Sequence, residues 1–340
     1  MPLLDYLTRL VAHESLSAAD AERAMDLILR GEASPAEIAG FLVALRMKGE
    51  TSGELVGFAR AMRRMATPIE HGLNGQTLLD TCGTGGDGCN TFNISTIAAF
   101  VVAGAGVHVA KHGNRSISSR CGSADLLEAW GVRVPMAPEE TARAIREVGI
   151  GFLFAPAVHA AMKHAQPVRK DLKIRTAFNL LGPLTNPAGA QAQVLGVFSL
   201  DVMDLVAATL AELGTEHAFV VHGAGGLDEI SLAGETMVAE VRDGKAQRFN
   251  VTPEEFGVKR APIEAIRGGT AKENAALISR ILEGEAGAPR DIVVINAAAA
   301  LVATGISENF RDAADTARLA IDSGKACETL ESLKAFTTRA

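Results

Sequence analysis

Apolar residues recur with a helical period over residues 1–70 and with a mixed period from residue 76 onward, and that change divides the chain. In the first stretch Ile38, Phe41, Leu42 and Leu45 fall three and four apart, so they share one helix face. Ser17-x-x-Asp20, Ser34-Pro-Ala-Glu37 and Thr51-x-x-Glu54 have the spacing of capping boxes, where a hydroxyl and a carboxylate satisfy the free N–H groups of a helix start. Pro35 stands at the first helical position, where no N–H is needed, and Gly49 marks a helix end. Residues 1–70 therefore read as a small all-helical domain. Beyond them, short β-rich runs alternate with helical ones. The candidate strands are Thr77–Asp80, Val107–Ala110, Ile150–Phe154, Val194–Phe198, Ala218–Val221 and Ile292–Ile295. Such alternation predicts an α/β domain over residues 71–340, a mostly parallel central sheet flanked by helices. Residues 159–187 carry Pro167, Pro183 and Pro187 and have no strand character.

Composition narrows the class. With 340 residues and 48% hydrophobic side chains the chain can fill a sizeable core in two lobes. A net charge of -7 opposes polyanion binding, and aromatics at 4% are too few for a base-stacking surface, so no nucleic-acid partner is expected. The start Met-Pro-Leu-Leu-Asp5 lacks the basic stretch of a secretory signal, and no apolar run reaches membrane-spanning length; the expectation is a cytoplasmic protein with no membrane partner. Cys82, Cys89, Cys121 and Cys327 have no C-x-x-C spacing, which speaks against a zinc site or a redox pair.

The chemistry lies in two strand-to-helix turns. The run Thr77-Leu-Leu-Asp80 leads into Cys82–Thr96, with Gly83, Gly85, Gly86 and Gly88 and then Thr91, Asn93, Ser95 and Thr96. The apolar run Ile97–Ala103 follows as a buried helix. Glycine lets backbone approach a ligand closely, and a helix start offers unpaired N–H donors and partial positive charge, so this turn suits phosphate. The strand Val107–Ala110 leads into a second turn with Lys111, Arg115, Ser116, Ser118 and Ser119, and then a helix ending near Gly131. Two adjacent anion-binding turns suit a ligand phosphorylated at two places: a dinucleotide, or a sugar carrying a monophosphate and a diphosphate. The dinucleotide fingerprint is incomplete, because the second turn is cationic where a ribose-binding acid belongs. With Gly113, small hydroxyl residues and little to bury, the segment Lys111–Ser119 is expected to order only on its ligand.

GTGGDG followed by TFNIST, then VAKHGNR and GSADLLEA, resembles the anthranilate phosphoribosyltransferase family. The resemblance continues in His159–Arg169, Arg175–Pro187 and His222–Ser231, and covers nearly the whole chain. Cys89-Asn90, Trp130, Ala160 and Lys173 depart from the family's usual residues. The resemblance implies a nucleoside phosphorylase/phosphoribosyltransferase-like fold and transfer of a phosphoribosyl group from PRPP to the amine of anthranilate. It places PRPP on Gly83, Gly86, Asp87, Thr91, Asn93, Ile94, Ser95 and Thr96 of the first turn. From the second it adds Lys111, His112, Gly113, Asn114, Arg115, Ser116, Ile117, Ser118, Ser119 and Ser123. Anthranilate is expected against Gly83, His112, Asn114, His159 and Arg169, and Mg²⁺ on Ser95, Asp228 and Glu229. It further implies a homodimer through the helical domain, with part of 159–187 packed on the N-terminal helices as hinge and acceptor wall.

The expected chemistry agrees with these residue types. Loss of pyrophosphate from the donor passes through a cation-like state that needs no protein nucleophile, and anthranilate is a weak, mostly unprotonated amine. No base or nucleophile is therefore assigned. A guanidinium fork such as Arg169 matches a carboxylate in shape and charge. Two alternatives remain. A pyrimidine nucleoside phosphorylase shares a Lys-His-Gly-Asn-Arg segment but has no need of a diphosphate turn or of Asp228-Glu229. A non-catalytic nucleic-acid-binding relative of the fold requires a basic surface.

Overall fold

The structure is a computed structural model that describes residues 1–116 and 120–339. Four helices open the chain: α1 (Leu3–Val11), α2 (Ala18–Leu29), α3 (Pro35–Lys48) and α4 (Ser52–Met65). Ser17 Oγ accepts from Asp20 N–H, and complete capping boxes form at Ser34/Glu37 and Thr51/Glu54. Gly49 ends α3 at φ 88°, a backbone state open to glycine. Ile38, Phe41, Leu42 and Leu45 are buried, as their spacing predicts.

The sheet has seven strands: β1 (Leu78–Gly83), β2 (His108–Gly113), β3 (Ile150–Phe154), β4 (Ala192–Gly196), β5 (His217–Gly223), β6 (Thr236–Arg242) and β7 (Lys245–Val251). Their order is β3-β2-β1-β4-β5-β6-β7, parallel as far as β5 and antiparallel beyond. The chain runs outward from β1 to β3 and then returns to place β4 on the other side of β1. The crevice at the carboxyl ends of β1 and β4 is thus a switch point, where open α/β sheets bind ligands.

The strands β4 and β5 divide their residues between two cores. Val194, Phe219 and Val221 pack on one face with α5 (Ile94–Gly104), α6 (Ser123–Ala129) and later helices. Leu195, Val197, Ala218 and Val220 pack on the other with α1–α4 and with residues from 165 to 184. The helices α7 (Pro138–Val148) and α8 (Ala155–Val158) flank β3, and α9 (Gln166–Leu172) lies beside α3.

The structure corrects two expectations. Ile292–Ile295 is not a strand; it lies inside the 16-residue helix Ala288–Ala303, buried all round. A fully buried helix and a buried strand give the same unbroken apolar run, and here Ala297–Ala300 extend it to helical length. Lys111–Gly113 is not a loose turn. These residues complete β2 and pair with Phe152–Phe154 of β3, so Lys111 is 3% and His112 8% exposed. Of the segment expected to order on its ligand, Ile117, Ser118 and Ser119 lie outside the described residues.

Candidate functional site

The first turn leaves β1 at Gly83 and reaches α5 at Ile94. Gly85, Gly86 and Gly88 all have positive φ, at 66°, 76° and 77°. No acceptor among the described residues takes the N–H of Gly86, Asp87 or Gly88, which leaves three donors for a ligand. Asn93 stands at the N-cap of α5 but does not cap it with its side chain. Its Nδ2 donates to Cys121 O (3.1 Å), and its Oδ1 accepts from Asn274 Nδ2 (3.1 Å). The helix start is capped from elsewhere: Ser95 N–H donates to Glu229 Oε1 at 3.1 Å. Ile94 and Thr96 are buried beneath, and Thr91 is half-buried.

The turn after β5 supplies that carboxylate. Gly85 N–H donates to Asp228 Oδ2 at 3.0 Å. This approach depends on glycine at two positions. A Cβ on Gly83 would stand 2.8 Å from Asp228 Oδ2, and one on Gly196 would stand 1.5 Å from Asp228 O. Asp228 and Glu229 are both pushed above the usual carboxylate range. Burial is the main cause for each; the Asp87 carboxylate adds for Asp228, and Asp228 adds for Glu229. A crowded set of carboxylates beside the Ser95 hydroxyl is an arrangement a hard cation relieves. Among the described residues no group of three or more His, Cys, Asp or Glu side chains is placed to hold a metal alone. The site thus fits Mg²⁺, which takes one or two carboxylates and completes its shell with phosphate oxygens and water.

Lys111 lies on the far side of Ser95. Its Nζ donates to Thr81 O (2.5 Å) and Ser95 Oγ (3.4 Å). Its counter-charge is Asp80, a fully buried carboxylate that accepts from His112 N–H (3.1 Å) and Asn186 Nδ2 (2.8 Å). Burial pushes the Asp80 carboxyl up to about 6, against the pull of Lys111 and these hydrogen bonds. Asn186 also donates to Ala110 O at 2.8 Å, so one buried network ties β1, β2 and the 182–190 segment.

Beside it stand two histidines in a T-shaped pair, His112 and His159, with ring centroids 5.2 Å apart. Burial drives both down, His112 to about 3 and His159 to about 4, so both are neutral at pH 7. The Nε2 of each is buried without a hydrogen-bond partner among the described residues. Such orphaned groups cost free energy in the free protein and mark where a ligand can complete the site. Arg169, on α9, is half-buried with its guanidinium over the Phe178 ring (5.2 Å). Burial lowers its pKa, and no carboxylate among the described residues pairs with it.

Other expected site residues are occupied elsewhere. Arg115 Nη1 and Nη2 donate to Glu128 at 2.6 Å each, and Nη1 also to Asp125 at 3.1 Å. The N–H groups of Ser116 and Gly122 also go to Asp125, at 3.1 and 2.9 Å. Ser123 Oγ donates to Asn114 O at 3.2 Å, and a Cβ on Gly113 would meet that Oγ at 2.3 Å. Sequence reasoning missed Asp80, Asn186 and Gly196, whose parts depend on strand order. A buried acid at the end of an apolar strand was the available signal for Asp80.

Comparisons with known proteins agree with this geometry. Residues 4–66 match the glycosyl transferase family, helical bundle domain, and residues 75–327 the glycosyl transferase family, a/b domain. The anthranilate phosphoribosyltransferase of Solibacter usitatus is 62% identical, with 99% of both chains covered. That of Symbiobacterium thermophilum is 54% identical over 98% of this chain and 97% of its own. Among solved structures, the Thermus thermophilus anthranilate phosphoribosyltransferase superposes with a TM-score of 0.93 at 48% identity, covering all of both chains. The Saccharomyces cerevisiae enzyme in complex with PRPP and Mg gives 0.91 at 28% identity, over 99% of this chain and 98% of its own. With both domains matched and this identity spanning the whole length, the chain belongs to the anthranilate phosphoribosyltransferase family.

Proposed function

We propose that this protein transfers the phosphoribosyl group of PRPP to the amino group of anthranilate, releasing pyrophosphate. The observation that carries the reading is the Asp228–Glu229 turn seated against the diphosphate-suited turn at the ends of β1 and α5. A phosphorolytic enzyme has no use for that acidic pair. Ser95, Asp228 and Glu229 would hold Mg²⁺, which when bound offsets the negative charge of the diphosphate. The open N–H groups of Gly86, Asp87 and Gly88 bind the donor's anionic end, and Lys111 adds a point charge from below. Thr91, Asn93, Ile94 and Thr96 shape the same wall, and Asn114 and Ser123 its opposite side.

Arg169 pairs with the anthranilate carboxylate and turns the amine toward the sugar. His112 and His159 present neutral, unpartnered Nε2 atoms in the same region, so the acceptor meets hydrogen-bonding groups without a competing positive charge. Gly83 keeps the crevice open between acceptor and donor. The chain's residues thus act by holding two reactants in register and by matching charge where pyrophosphate leaves. No side chain attacks the sugar.

The test is incubation with PRPP, Mg²⁺ and anthranilate, followed by the loss of anthranilate fluorescence. Phosphorolysis of thymidine or uridine without PRPP-dependent turnover overturns the reading. Residues 1–70 with part of 159–187 form the acceptor-side lobe, a division supported by their shared apolar core. This lobe leaves Met1, Leu4, Val11 and Met47 between 54% and 76% exposed, a face suited to a second copy of the chain. Light scattering should give twice 35.5 kDa, about 71 kDa; a monomer mass at micromolar concentration sinks the dimer.

A further inference from the structure

Arg175 belongs to none of the groups above, yet it bridges the two halves of the site. It follows α9, the helix that carries Arg169, after Lys173 turns the chain in a left-handed conformation (φ 51°). Its Nη2 donates to the carbonyl of Gly86 in the first turn. Its guanidinium also stacks on the Phe198 ring at 3.9 Å. The backbone that carries this ring is tied to the first turn, because Phe198 N–H donates to Thr84 Oγ1 (3.1 Å) and Thr84 N–H to Gly196 O (2.8 Å). Two independent restraints therefore hold the guanidinium where it meets Gly86. A Cβ on Gly86 would stand 3.2 Å from Nη2, so glycine is also what lets it come this close.

The consequence lies in one peptide plane. In a trans peptide the C=O of one residue and the N–H of the next point in opposite directions. With Gly86 C=O held by Arg175, the N–H of Asp87 is turned to the opposite side, and no acceptor among the described residues takes it. Glycines at 85, 86 and 88 leave this peptide otherwise free to flip. We infer that Arg175 is a positioning residue that locks the Gly86–Asp87 peptide with its N–H toward the diphosphate of the donor, and so ties donor binding to the segment bearing the acceptor arginine. This rests on the reading of the site as a PRPP site.

The experiment is calorimetric titration of the full-length enzyme, without anthranilate, with three probes in Mg²⁺ buffer: PRPP, pyrophosphate and ribose 5-phosphate. Arg175→Ala should weaken PRPP and pyrophosphate about tenfold and leave ribose 5-phosphate within twofold. Arg175→Lys keeps a donor but loses the planar stack, and should recover part of the loss. A variant that binds pyrophosphate within twofold of wild type overturns the role. So does a variant that loses all three ligands together with melting temperature, since that is collapse of the hinge. If wild type itself binds no PRPP, the functional reading fails first. If wild type binds and Arg175→Ala binds equally well, only this inference fails.

Discussion

The two strand-to-helix turns of the site look alike in sequence, and the structure holds them by different means. The turn after β1 takes its restraints from far along the chain: Asp228 grips Gly85 across 143 residues, and Glu229 caps α5 across 134. The described part of the turn after β2 is held mainly by its own helix. Asp125, on α6, accepts from Ser116 and Gly122, and Arg115 closes onto Asp125 and Glu128. The first arrangement brings carboxylates of separate elements together, at the cost of burying charge. The second satisfies most of its described groups from its own helix, with Asn93 reaching in from the first turn to Cys121 O. Opposed charges are thus gathered at the first turn and not at the described part of the second.

The strongest way to break this contrast is to empty the first turn of its distant carboxylates. Asp228→Ala with Glu229→Ala should lower kcat at least about a thousandfold, on the order of 4 kcal/mol, at any Mg²⁺ concentration. The metal-free protein should melt no lower than wild type, because two mutually repelling buried acids are gone. A double variant with wild-type rate at limiting Mg²⁺ would remove the metal role.

Next in size is the acceptor side. Arg169→Ala should raise the anthranilate KM by roughly thirty- to a hundredfold, about 2–3 kcal/mol for a lost desolvated charge contact, and leave the PRPP Kd near wild type. Loss of PRPP affinity with anthranilate affinity kept would show the pocket assigned backwards.

A smaller effect should appear in acid. His112 and His159 have folded-state pKa values of about 3 and 4, below the ordinary imidazole value near 6.5. The unfolded chain therefore takes up protons first, and their stabilising contribution, full above pH 6.5, is lost as pH falls toward 4. Asp80, raised to about 6, works with the opposite sign, so the histidine effect is read as a difference. His159→Gln should lose a few °C less than wild type in melting temperature between pH 7 and 4.5. Parallel curves would show that His159 is not held neutral by burial.

The smallest change is expected where the second turn is satisfied on its own. Arg115 is exposed and paired, and ion pairs at the surface are weakened by water and salt. Arg115→Gln should move the PRPP KM by threefold or less. A loss comparable to that of Arg169→Ala would mean that Arg115 leaves its carboxylates for the donor, and that the two turns are more alike than their contacts show.

Much of this was open to reading from the sequence, because it is local. Capping at Ser34 and Thr51 and the stripe of α3 rest on neighbours within one or two turns of chain. β1 to β5 were expected within a few residues. The hairpin of β6 and β7 was missed although Asp243-Gly244, at φ 52° and 71°, is a two-residue turn signal between its strands. Exposed polar residues along β7 hide the alternation that marks a strand.

A helical lobe, an α/β lobe and the glycine-rich turn after β1 could all be read from the chain alone. Periodicity and turn chemistry act over a few residues, and a few residues suffice to read them. Packing of the whole molecule set β4 beside β1 on its return. That return sets Gly196 against Asp228 and seats Glu229 on α5. It also decided that Lys111 faces Asp80, that the two histidines stand neutral and unpartnered, and that Arg175 reaches Gly86. Each of these depends on strand order and on burial, and burial is a property of the packed molecule that no short stretch of chain possesses.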